Sequence, residues 1–108
     1  MFINFKNTKL IIKFKVITTS KYIIISFTFY IIKYIKKLSK LKEPTDDVIL
    51  KHMEKLIYAI NKLNRKADLC LLESEIGDDV CFFIEDVAFE AGFPETDEDI
   101  TYDWREEW

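Results

Sequence analysis

Five apolar residues, Ile49, Met53, Leu56, Ile60 and Leu63, follow one another at steps of four, three, four and three, and no other feature constrains the chain as much. The spacing puts them on one face of an α-helix, with Val48 and Ile57 widening the stripe. Thr45 offers an N-cap hydroxyl to an otherwise unpaired amide of the first turn. Asp46 and Asp47 fall where the helix dipole favours negative charge, and Arg65 and Lys66 where it favours positive charge. Periodicity and end chemistry therefore agree on a long amphipathic helix.

A second helix is legible from its end. Glu90-Ala91-Gly92-Phe93-Pro94 provides a residue without a Cβ for the left-handed closing position, an apolar residue to fold back over the last turn, and a proline that cannot continue. Upstream, Leu69, Leu72, Ile76, Val80, Phe83 and Val87 fall on one side, and the pattern predicts one helix with a soft point at Gly77. Cys81, Phe82, Ile84, Ala88 and Phe89 make much of its remaining surface apolar. Such a helix needs neighbours on most sides, and a single partner helix does not supply them. Ile100, Trp104 and Trp108, spaced by four, suit a short terminal helix carrying both tryptophans on one face. The expected fold class for residues 45–108 is all-α, an antiparallel helix pair plus a short C-terminal helix.

With 108 residues the chain makes at most one ordinary domain, and 32% charged residues argue against one embedded wholly in a membrane. The net charge of -3 hides a division. Residues 1–42 hold ten lysines and no acid, whereas residues 43–108 hold all nineteen acids against four lysines and two arginines. The acidic part repels nucleic-acid phosphates and attracts basic protein surfaces. The two cysteines, Cys70 and Cys81, each sit in an apolar run and are too few for a disulfide scaffold, which fits a reducing compartment.

The chain thus divides into a Lys/Ile/Phe-rich segment, 1–42, and a small acidic helical domain, 43–108. The first segment admits three readings. One is a hydrophobic helix serving as a membrane anchor over residues 16–35, although the uncharged run from Tyr22 to Ile32 is eleven residues against the roughly 20 that a bilayer requires. Another is a β-hairpin, in which Ile12, Phe14 and Val16 alternate with lysines, Ile23, Ile25, Phe27 and Phe29 alternate in turn, and Thr19-Ser20 forms the bend. The third is an overlong reading of A/T-rich DNA, with translation beginning later, for example at Met53. Ile, Lys, Phe, Asn and Tyr, which dominate this segment, all have codons built from A and T alone.

Catalytic, cofactor and metal chemistry find little footing. His52, the one histidine, has no Ser or Cys nucleophile in a recognisable arrangement, and a zinc site from His52, Cys70 and Cys81 lacks a fourth ligand and the usual spacing. Asp97, Asp99, Thr101 and Asp103 alternate as in a calcium loop, yet Tyr102 stands where glycine must turn the chain and Trp108 where the bidentate Glu belongs. The more telling pattern is Asp97, Glu98, Asp99, Asp103, Trp104, Arg105 and Trp108. Tryptophan and arginine are favoured at binding hot spots, and an acidic rim steers a basic partner. The alternative is that the tail folds back and seals the helices.

The expectation is a non-enzymatic cytoplasmic interaction protein without cofactor or metal. It would bind a basic protein, or pair with itself as a homo-oligomer, and bind no nucleic acid. Small, acidic toxin-neutralising immunity proteins and antitoxins share that physical profile, which is analogy only. The rival is a membrane-anchored small protein at the inner face of a membrane, which holds only if residues 16–35 form a genuine anchor.

Overall fold

The computed structural model describes residues 21–67, 72 and 75–108. Among them are three helices and no strand: α1 Lys21–Lys40, α2 Asp46–Lys66 and α3 Glu75–Glu90. The helical expectation for the acidic part holds, and the hydrophobic-helix alternative holds for residues 21–40.

Helix α1 resolves an ambiguity that alternation alone leaves open. Ile23, Phe27, Ile31, Tyr34, Ile35 and Leu38 are all buried, and their spacing of four, four, three, one and three is that of one helix face. Ile25 and Phe29, which a strand would place beside Ile23 and Phe27, turn outward instead. The residues are compatible with both periods, and the helical one wins because it buries a continuous stripe against α2. The proposed first strand, Ile12 to Val16, and its bend at Thr19-Ser20 lie outside the described residues. None of the described helices is long and apolar enough to cross a membrane.

A short connection turns α1 into α2. Glu43 adopts a left-handed φ of 45° ahead of Pro44, and Thr45 then caps α2, its hydroxyl accepting from the Val48 amide at 3.4 Å. Ile49, Met53, Leu56, Ile57, Ile60 and Leu63 are buried as their spacing requires. Val48 is not; it stands exposed in the first turn. The closest helix pair is α1 with α2, and α3 lies against α2 over a shorter stretch.

Helix α3 ends as its sequence predicts. The Phe93 amide donates to the Ala88 carbonyl at 3.0 Å and the Gly92 amide to that of Phe89 at 3.0 Å, a Schellman closure with Gly92 at φ 113°. Phe93 packs back on the core. The start differs from expectation. Leu72 lies in a turn and α3 begins only at Glu75, so Gly77 sits in its first turn rather than at a mid-helix soft point. A Cβ at Gly77 would stand 3.0 Å from the Leu72 carbonyl, so the missing side chain admits the connection close against the helix. Leu69 lies outside the described residues.

One continuous core takes side chains from all three helices. α1 therefore supplies much of the company that α2 and α3 lack as a pair. A buried hydroxyl adds a polar tie, since Tyr34 donates to the Ile84 carbonyl at 3.0 Å and joins α1 to α3. Burial, and secondarily the Glu85 charge, push the Tyr34 phenol far up, so it remains a neutral donor. Phe27, 1% exposed, is the largest of the fully buried α1 side chains. Phe27→Ala is expected to cost about 3–5 kcal/mol in urea unfolding, the range for emptying a buried aromatic site. Unchanged stability would mean that α1 does not belong to the core.

Candidate partner-binding site

One buried side chain of α2 makes three hydrogen bonds to the terminal tail. Asn61, 2% exposed, donates through Nδ2 to the Trp104 carbonyl at 2.8 Å. Its Oδ1 accepts from the Glu106 amide at 3.1 Å and from the Trp108 indole at 2.5 Å. One amide thus answers both a carbonyl and two N–H groups of the tail. Ile100, Trp104 and Trp108 are half-buried against the core. Ile100 to Trp104 make a single turn, closed by Arg105 and Trp104 amides on the Thr101 carbonyl at 3.2 and 3.1 Å, where a short helix was expected.

That docking sorts the residues of the acidic and aromatic tail pattern. Arg105 has little exposure; it donates to the Trp108 carbonyl at 2.9 Å, pairs with Asp99, and its guanidinium carbon lies 5.7 and 5.8 Å from the Tyr102 and Trp108 ring centres. Asp99 also accepts from the Thr101 amide at 3.1 Å and hydroxyl at 2.9 Å. Trp104, Arg105, Trp108 and Asp99 are therefore occupied in holding the tail. Asp97, Glu98 and Asp103 are exposed. The acidic turn at 97–99 is carried to α3, where it meets residues outside that pattern.

Those residues are Asp78 and Phe82, exposed on α3, and Glu85, buried about one turn further along the same helix. With Asp97, Glu98, Asp99 and Arg105 they line a groove of about 120 Å³. Phe82 is 64% exposed, the one large apolar side chain of α3 that faces solvent to this degree. The period that defines the buried face also identifies Phe82 as its outlier, and only the folded tail reveals the acids around it.

The electrostatics of the groove are unbalanced. Burial raises the Glu85 carboxyl above its ordinary range, and Asp99 and Asp86 raise it further while Arg105 opposes them. Asp86 is raised by burial and then by Glu95 and Glu90. The buried Cys81, which also lines the groove, has its thiol pushed up by burial and stays protonated, a packing group rather than a nucleophile. His52 stands elsewhere, on α2, held below its ordinary value by burial and then by Lys37 and Lys55. Cys70, which a zinc site with His52 and Cys81 would need, lies outside the described residues. Among those described, no cluster of three or more His, Cys, Asp or Glu is placed to hold a metal ion. No protein-family model, curated protein or solved structure matches the chain.

A raised carboxyl binds its proton more tightly in the folded than in the unfolded chain, so stability falls as pH rises from the ordinary Glu range through the raised value. Glu85→Gln removes that penalty. The variant is expected to be more stable than the parent at about pH 7 in urea unfolding, with the difference closing below about pH 4, where both side chains are neutral. Equal stability at both pH values would contradict the imbalance.

Proposed function

We propose that the chain is a small, non-enzymatic, cytoplasmic interaction protein that takes a basic protein partner on the groove between α3 and the acidic turn. Phe82 carries the reading. An aromatic side chain 64% exposed within a ring of carboxylates has the form of a hot-spot anchor inside a charged rim. A cationic side chain entering the groove would also offset the burial cost that raises Glu85 and the repulsion from Asp99 and Asp86 that adds to it. Self-pairing through this face is disfavoured, because two copies would bring their carboxylates together. The free Cys81 thiol fits a reducing compartment. The profile remains that of proteins dedicated to neutralising one basic partner, such as immunity proteins and antitoxins.

The test is affinity capture from the producing cell with the whole chain as bait, set beside Phe82→Ser, whose exposed position leaves the core intact. A basic polypeptide should be retained at low salt, released as salt screens the rim, and weakened about tenfold or more by the substitution. Identical retention by both baits would rule out this face.

A further inference from the structure

Helix α1 presents two different outward halves. Tyr22, Ile25, Phe29 and Ile32 step by three, four and three, and are 67%, 59%, 60% and 39% exposed. They form a second apolar stripe, on the opposite side of the helix from Ile23, Phe27 and Ile31. Beyond Ile32 the same outward side becomes cationic, with Lys33, Lys36, Lys37 and Lys40 all exposed. No acid occurs in residues 1–42. Lys37 lies near His52 of α2, which burial and then Lys37 and Lys55 hold below its ordinary value.

We propose that this outward face of α1 lies on an anionic lipid surface, with the Tyr22–Ile32 half sunk into the headgroup boundary and the lysine half on the lipid phosphates. The charge favours this occupant. A helix with an apolar stripe and adjoining lysines gains both burial and attraction to acidic lipids. The apolar stripe is too short to span, since the ten steps from Tyr22 to Ile32 at 1.5 Å each give about 15 Å against a hydrocarbon core of about 30 Å. Its size also disfavours a second copy of the chain. A stripe about 15 Å long on a helix about 10 Å across offers far less than the roughly 800 Å² per partner of a stable interface. The face is separate from the Phe82 groove, so one molecule can hold a basic partner on α3 while resting on lipid through α1.

The experiment is flotation of the whole chain with phosphatidylcholine vesicles and with vesicles in which about one-third of the lipid is phosphatidylglycerol. Two double variants accompany it, Ile25→Ser with Phe29→Ser and Lys33→Glu with Lys36→Glu; every altered side chain is exposed, and circular dichroism checks that each variant folds. The chain should float with the anionic vesicles and not with the neutral ones, and added salt should release it. Each variant should lower partitioning about tenfold or more. Three results would overturn the proposal: no flotation with either vesicle, flotation that neither variant weakens, or a dimer in sedimentation equilibrium that the serine variant dissociates.

Discussion

The main polar tie between the carboxyl-terminal tail and the helices is one buried amide. Asn61 stands in α2 among the apolar side chains that build the core, and burying an amide there is tolerable only because its groups are answered by hydrogen bonds. The tail supplies the answers from Trp104, Glu106 and Trp108. Separating them would leave a buried amide and three tail groups to find other partners, at about 1–3 kcal/mol for each buried group left unpaired. The exposed Arg65–Glu106 ion pair beside it adds little by comparison. The Asn61 contact matters most through the positions it sets. Trp104 and Trp108 seal the core, Arg105 reaches back to Asp99, and the acidic turn is set against α3. The groove around Phe82 exists because the tail is seated.

The second constraint is the surplus of apolar surface on α2 and α3. Ile84, Val80, Ile57 and Met53 share one core with the buried side chains of α1, and Tyr34 ties α1 to α3 through the Ile84 carbonyl. The companion that the greasy helices require is thus largely another part of the same chain. Phe82 and the outward stripe of α1 stay outside that core. Their surroundings have opposite charge, carboxylates about the first and lysines beside the second. Recognition of a basic protein on one and of acidic lipid on the other would use that division of charge.

Features governed by local chemistry are legible in the residues alone. Thr45 caps α2 and Gly92-Phe93 closes α3 because capping depends on residues a few positions apart. The α2 stripe is equally plain, except at Val48, which its position beside the stripe suggests is covered and which the fold leaves exposed. α1 is ambiguous because Ile, Phe and Tyr suit a strand as well as a buried helix, and tertiary burial makes the choice. Asn61 leaves no trace in the pattern, since a polar residue beside an apolar stripe ordinarily faces water. The aromatic tail is therefore open to two readings from its residues, a binding surface or a seal. Trp104 and Trp108 are placed as a seal, and the groove brings α3 residues Asp78, Phe82 and Glu85 beside the turn, a juxtaposition that only long-range packing creates.

The most direct measurement is hydrogen exchange of the Trp108 indole N–H in the native chain, read alongside the backbone amides at the centre of α2. If Asn61 makes the tail part of the cooperative fold, that indole exchanges only through openings about as costly as those that expose the α2 amides. Exchange at the rate of an unprotected indole, while the α2 amides remain protected, would show a tail that merely rests on the surface and would remove the basis for a preformed groove.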